Sequence, residues 1–334
     1  MERILEYCIS KEDDGKLIKV FLQEQGFSRQ NLVELKKIPE SILLNGVWEY
    51  VTCKLAEGDV LRIHIVEGES SEKIPPVELP FPIVYEDEDI VAVNKPADMP
   101  IHPSLNNYEN TLGNAAAYYF AKQEKSFIFR CINRLDRDTT GLTILAKHML
   151  SCSILQSDMV ERKISREYLA IVEGVFENAE GTIDAPIGRK EGSTIERMID
   201  FENGERAITH YRVLEQKENV AMLALKLETG RTHQIRVHMT SIGHPLIGDF
   251  LYNPQNKGMS RQALHAWKLS FNHPITNKTL KLWTRLEQNL STLRRISPPS
   301  CLRVTYWHIP TRWHSLPRIS LCARIPRARI RSLL

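Results

Sequence analysis

The chain has 334 residues, of which 42% are hydrophobic and 25% charged. This is the balance of an ordinary soluble globular protein, and no apolar run is long enough to span a membrane. The 44 basic and 41 acidic residues give a formal charge of +3. Nine arginines and no acid follow Glu287, however, so residues 1–287 hold 35 basic against 41 acidic side chains, about −6. That excludes a generally cationic surface; nucleic-acid binding by the body of the protein requires a local basic patch. The six cysteines (Cys8, Cys53, Cys131, Cys152, Cys301, Cys322) are scattered with no C-x-x-C pair, which argues against a zinc site and a disulfide framework. The opening stretch MERILEYCISKEDDGK has acids too early and too short an apolar run for a secretory signal. A cytoplasmic, reduced protein is expected.

In chain order, residues 15–68 read as a small module. KLIKVFLQEQGF has helical spacing at Leu17, Val20 and Phe21 and stops at Gly26. Ser28 caps a second helix, RQNLVELKK, closed by Pro39. SILLNGVWE predicts two short strands about an Asn-Gly turn, and GDVLRIHIVEG alternates Leu61, Ile63 and Ile65 on one face. The boundaries expected are 1–70 for this α+β module, 71–80 for a Ser-, Pro- and Glu-rich linker, and 81–290 for a second domain. In the second domain, IVYEDEDIVAVNKP predicts a hairpin, NTLGNAAAYYFAKQ a capped helix and TGLTILAK a strand. HMLSCSILQSDMVERK predicts a helix burying Leu150, Ile154, Leu155 and Met159. REYLAIVEG, AITHYRVLEQ and NVAMLALKLETG predict strands, RTHQIRVHMTSIG a short helix ended by Gly243, and ALHAWKLSF and KTLKLW further strands. Strands dominate without regular βαβ alternation. The expected class is α+β with a mixed, mainly antiparallel sheet and flanking helices. Residues 291–334, rich in Arg and Pro, are read as a disordered or non-native tail.

Two clusters carry candidate chemistry. In INRLDRDTTGLTILAK, Asp136 lies between Arg134 and Arg137. Neighbouring cations favour an ionised carboxylate. In extended chain Arg134 shares the face of Asp136 while Arg137 points away. Such a turn is also a common surface ion pair. In LETGRTHQIRVHMTSIGHPLIGD, helical spacing pairs Thr232 with Arg236 and Gln234 with His238. A metal site on His233, His238 and His244 is disfavoured, since His233 and His238 are five residues apart and no carboxylate stands at ligand spacing. Tyr168, at the start of an apolar strand, is either a core tyrosine or an aromatic face on which a base stacks.

INRLDRDTTGLTILAK, REYLAIVEG and TGRTHQIRVHMTSIGHPLIGD together resemble the RluA family of RNA pseudouridine synthases. VNKPADMPIHPS, PIGRKEGSTIERM, ERAITHYRV and ALHAWKLSFNHP are similar to that family in the same order, so the likeness runs from about Phe81 to Leu282. Residues 15–68 resemble, more weakly, an RNA-binding module shared with a ribosomal small-subunit protein. Residues 1–75 nevertheless carry ten basic and fourteen acidic side chains, where phosphate binding calls for the reverse.

The resemblance implies a pseudouridine synthase fold and an isomerase that converts uridine in RNA to its carbon-linked isomer, with no cofactor and no metal. It implies Asp136 as the catalytic carboxylate, Arg236 as its guanidinium partner and Tyr168 stacked on the uracil. Arg134 is expected to fill the space left by an extruded base, and Arg231, His233 and Gln234 to contact RNA. Asn133 stands where many relatives carry histidine, so an RNA-groove contact is expected to differ. The partner expected is ribosomal RNA of the large subunit, with transfer RNA as the alternative, and the protein is expected to be a monomer. A non-catalytic RNA-binding or ribosome-assembly protein on the same fold is the rival reading. A glycosidase is disfavoured because that chemistry needs two carboxylates flanking the bond.

Overall fold

A computed structural model describes residues 1–284 apart from Asn106 and Lys257, together with the backbone of a two-residue strand at Arg318–Ile319. The expectation of a disordered or non-native tail falls, apart from that strand, outside the described residues. The small module is built on a four-stranded antiparallel sheet of β1 (Glu2–Cys8), β2 (Ile42–Leu44), β3 (Val47–Trp48) and β4 (Val60–Val66), in the order β1-β4-β2-β3. Two seven-residue helices, α1 (Ile18–Glu24) and α2 (Arg29–Leu35), cover it. Ser28 does cap α2, accepting from the Asn31 amide while Asn31 reaches back to the Ser28 amide. Asn45 and Gly46 both have positive φ, 51° and 81°, as a tight hairpin turn with strand-matching twist requires. Leu61, Ile63 and Ile65 are fully buried. Strand β1 was not foreseen: its ERILEYC sequence alternates charge with apolar residues too weakly to stand out, and pairing with β4 makes it a strand.

The module is fused to the rest of the protein. Its core continues into Met149 and Leu150 of helix α4 (Met149–Val160), and Gly26 packs so closely on Ile154 that a Cβ there would lie 2.5 Å away. Glu67, just past β4, takes a two-pronged pair from Arg130 at 2.7 and 2.8 Å and accepts the Met149 amide. The segment expected to be a linker is likewise held down. Ser70 and Ser71 accept the Phe127 and Phe129 amides, and Asn114 of α3 (Leu112–Ala121) donates to the Pro75 carbonyl.

The large sheet places β5 (Ile83–Glu86), β6 (Ile90–Lys95) and β7 (Thr140–Ala146) at one side. Across from them are β8 (Ser165–Glu173), β9 (Glu180–Asp184), β12 (Ile208–Lys217), β13 (Val220–Leu227) and β14 (Leu264–Asn272). The order is β9-β12-β13-β8-β14-β7-β6-β5, with β15 (Thr279–Trp283) paired to β14 and β16 (Arg318–Ile319) to β9. A separate hairpin, β10 (Ile187–Arg189) with β11 (Arg197–Ile199), stands apart. Pairing is mostly antiparallel, but β7 and β14 run parallel where the two halves of the sheet meet. Helix α5 (Gln234–Ser241) follows β13. Strand β9 and the β10–β11 hairpin were missed, because EGTID, IGR and RMI are short and lack a clear alternation. Among the described residues no helix is long and apolar enough to cross a membrane.

The β7–β14 junction demands a glycine. At Gly141 φ is +116°, and a Cβ would come 2.2 Å from the Ala266 carbonyl oxygen. Backbone packed against backbone cannot move aside as a side chain can. Gly141→Ala is therefore expected to destabilise the protein by about 2 kcal/mol or more, read from the urea unfolding midpoint. A change under about 0.5 kcal/mol would mean that the junction yields.

Candidate active site

The site forms where the sheet halves join. Asp136 sits in the loop that leads into β7. On one side Leu135 is buried in the main core. On the other, the Arg137 carbonyl accepts from the Lys95 ammonium at 2.8 Å and from the Met99 amide at 3.2 Å. The Thr139 amide donates to the Asp136 carbonyl at 3.1 Å, closing a turn. The turn is made by backbone, and Asp138 takes the Arg137 guanidinium. Lys95 has no exposed surface and also donates to the Pro96 and Met99 carbonyls. Pinned at both neighbours, the Asp136 side chain has little choice of direction.

It meets Arg236 of α5: Nη1 donates to Oδ2 at 3.0 Å. The rest of the guanidinium is taken by a second carboxylate, with Nε to Asp249 Oδ2 at 2.7 Å and Nη2 to Asp249 Oδ1 at 2.8 Å. Asp249 is fully buried and also accepts the Leu251 and Tyr252 amides. Burial alone would penalise the Arg236 charge, but Asp249 and Asp136 outweigh it and hold its pKa above the ordinary arginine value. The guanidinium also lies 5.0 Å from the Tyr252 ring centroid and 5.8 Å from that of exposed Phe250. The Asp136 side chain keeps 26% of its surface open, against 3% for Arg236. The arginine is structural scaffolding and the aspartate is presented.

Tyr168 lies on β8 in the same core cluster as Leu135 and Ile235. Burial raises its phenol pKa, Arg166 opposes this, and the Asp136 charge adds to it, so the ring is within electrostatic reach of the carboxylate. His233 opens α5 in left-handed backbone, φ 58°. Tyr252 accepts the Arg197 amide, and its hydroxyl also shares a hydrogen bond with His233 Nδ1 at 2.9 Å. His233 Nε2 faces Asp136 Oδ2 at 3.9 Å. Burial lowers the His233 pKa and favours the neutral ring.

Arg134 is exposed and makes no hydrogen bond or ion pair among the described residues. Arg231 is exposed too, but is paired with Glu205 and donates to the Arg206 carbonyl. Gln234 stands apart from the other residues singled out in the sequence. It is 3% exposed, its oxygen accepts from Thr229 and from the Arg231 amide, and its nitrogen donates to Ile208 and Thr209. With both ends of the amide used internally, it supports the loop and offers nothing to a ligand. Asn133 is a second correction. It is buried and bridges the Leu142 carbonyl and the Ile144 amide, so it fastens the loop to β7 and does not face a groove.

His233, His238 and His244 do not converge. His238 is held by Thr209 and the Ala185 carbonyl, and His244 by the Glu173 carbonyl. His238 Nε2 donates to the Ala185 carbonyl, and Nδ1 shares a hydrogen bond with the Thr209 hydroxyl. Burial lowers the His238 pKa to about 4, which keeps the ring neutral near pH 7. Asp249 is the residue that sequence reasoning missed. Its signal was a carboxylate at the end of HPLIGD, thirteen residues after Arg236, and only the fold brings the two together.

The cluster leaves one carboxylate, Asp136, partly open and held by a buried guanidinium. Residues 89–241 match the RNA pseudouridylate synthase family. The chain is 38% identical to the Bacillus subtilis protein YjbO, described as an uncharacterized RNA pseudouridine synthase, over 83% of this chain and 97% of that protein. It is 36% identical to the ribosomal large subunit pseudouridine synthase D of Escherichia coli O6:H1, over 86% of this chain and 93% of that one. Among solved structures, human RNA pseudouridylate synthase domain containing 1 superimposes with a TM-score of 0.54 at 28% identity, covering 64% of this chain and 86% of that one. The chain belongs to the RNA pseudouridine synthase family and is an isomerase that forms pseudouridine in RNA.

Two outcomes follow from this geometry. Asp249→Ala strands a buried guanidinium and is expected to cost about 3 kcal/mol or more of stability in urea unfolding. Stability is also expected to fall as pH drops from about 6.5 to about 4, because the unfolded chain protonates His238 near 6.5 and the folded one only near 4. This part of the pH dependence should be missing in His238→Gln; identical pH profiles for the two proteins would contradict it.

Proposed function

We propose that Asp136 is the catalytic carboxylate and that the target is a uridine of large-subunit ribosomal RNA. The observation that carries this is the partly open carboxylate clamped by Arg236, itself locked by Asp249. In the reaction the N-glycosidic bond breaks, the uracil turns, and its carbon 5 bonds to the ribose. Carbon 5 gives up its proton and nitrogen 1 gains one, so the product is an isomer and no energy source is needed. An anionic Asp136 acts at the sugar or the pyrimidine ring. The large-subunit assignment is supported by relatives such as the Escherichia coli enzyme.

A uridine inside folded RNA must leave its stack first, at roughly a few kcal/mol. Arg134, exposed and without a partner among the described residues, suits the space left behind. Tyr168, near Asp136, suits stacking on the extruded ring, and exposed Arg231 and His233, whose Nε2 is 3.9 Å from Asp136, are assigned as RNA contacts. The small module lends shape to the docking surface more than charge, given its acidic balance. The protein is taken to act as a cytoplasmic monomer.

Mapping pseudouridines in cells with and without the protein tests the target directly: one or a few large-subunit positions should revert to uridine. Asp136→Asn should lower turnover by at least 10³-fold, on the order of 4 kcal/mol of barrier, while RNA binding persists in a filter assay. An active Asp136→Asn protein would remove the proposed chemistry.

A further inference from the structure

Four cationic side chains are buried among the described residues: Lys95, Lys147, Arg166 and Arg236. Three are fully accounted for. Lys95 has its three carbonyls, Lys147 has Glu86 and the Asp87 carbonyl, and Arg236 has its two carboxylates. Arg166 is different. It is 9% exposed, its enclosed Nε has no hydrogen-bond partner, and no carboxylate pairs with its guanidinium among the described residues. A buried charge left in this state is costly to the folded protein, and such a residue calls for an explanation.

Its position supplies one. Arg166 lies in β8 two residues before Tyr168, so the two side chains share a face of the sheet. Tyr168, Ala170 and Val172 continue that face into the main core. Nη1 of Arg166 lies against Gly230, where a Cβ would be only 2.5 Å away. Gly230 belongs to the loop that carries Arg231 and His233 into α5. The guanidinium therefore sits between the Tyr168 row and the α5 entry loop, at the edge of the site. The field of Arg166 is felt at the Tyr168 phenol.

We propose that Arg166 is a binding residue for a phosphodiester of the RNA next to the extruded uridine, and that Gly230 keeps space for its guanidinium. The phosphodiester is the anionic group RNA offers; a uracil carbonyl would accept a hydrogen bond but leave the charge uncompensated. Arginine suits the task because its fork matches two phosphate oxygens and stays charged. The inference rests on the RNA pseudouridine synthase activity but on neither the identity of the target nor the role of Asp136.

The experiment uses the full chain and unmodified RNA taken from cells that lack the protein, which contains the target whatever its class. Binding by filter retention and single-turnover pseudouridine formation are followed over a series of salt concentrations for wild type, Arg166→Met, Arg166→Lys and Gly230→Ala. Arg166→Met should bind about tenfold or more weakly, with the slope of log affinity against log salt shallower by about 0.7, one single-strand phosphate. Arg166→Lys should restore the slope, and Gly230→Ala, whose methyl displaces the guanidinium, should weaken binding as Arg166→Met does. Because no described carboxylate pairs with the charge in the free protein, Arg166→Met should unfold at the same or higher urea concentration than wild type. An unchanged salt slope overturns the proposal, whether or not turnover falls, as does a loss of stability with RNA affinity intact. If the wild type forms no pseudouridine in this RNA, the activity assignment fails, and the salt slope still decides the role of Arg166.

Discussion

A single guanidinium shared between two carboxylates organises the site. Arg236 could satisfy Asp136 alone, but a one-pronged contact to a partly open aspartate would leave its other donors buried and unpaired. Asp249 takes two of them. The arginine is then fixed in place whether or not anything occupies the cleft, and Asp136 inherits a fixed direction. The two acids outnumber the one base, so the cluster keeps a net negative charge and presents it through the more exposed member. This is the electrostatic preorganisation that makes a carboxylate useful at a reacting centre, because little has to rearrange when charge develops.

The backbone around the pair serves the same end. Asp136 is one residue from a core leucine and one from a carbonyl gripped by Lys95 and Met99. Asn133 imitates a strand partner for β7, and Gly141 lets β7 approach β14 to backbone contact. Gln234 and Thr209 secure the start of α5 from the far side. A site made of loops is thereby held nearly as firmly as one made of strands.

Much of the fold was legible because its signals are local. The Asn-Gly turn, the Ser28 cap, the alternation of Leu61, Ile63 and Ile65, and the stop at Gly243 each report on a few neighbouring residues. What escaped notice depends on distant ones. Strand β1 exists because β4 offers it an edge, and the short strands around the β10–β11 hairpin carry too few residues for a period to show. The same division holds in the site. Asp136, Tyr168 and Arg236 were singled out through motifs; the structure pairs Asp136 with Arg236 and leaves Tyr168 within reach of the Asp136 charge. Asp249 was overlooked because a carboxylate thirteen residues from an arginine has no local meaning. Gln234 and Asn133 misled for the converse reason: a polar residue inside a functional motif looks like a ligand until its amide is seen to be spent on the backbone.

The way the small module is attached has a mechanical consequence. Glu67 and Arg130 bolt it to the main body, and its core runs unbroken into α4, so no hinge separates it from the sheet that carries Asp136. The pair behaves as a caliper with a locked screw. Were an RNA to rest against the module, as proposed, the same two contacts would set the module's distance and angle to Asp136.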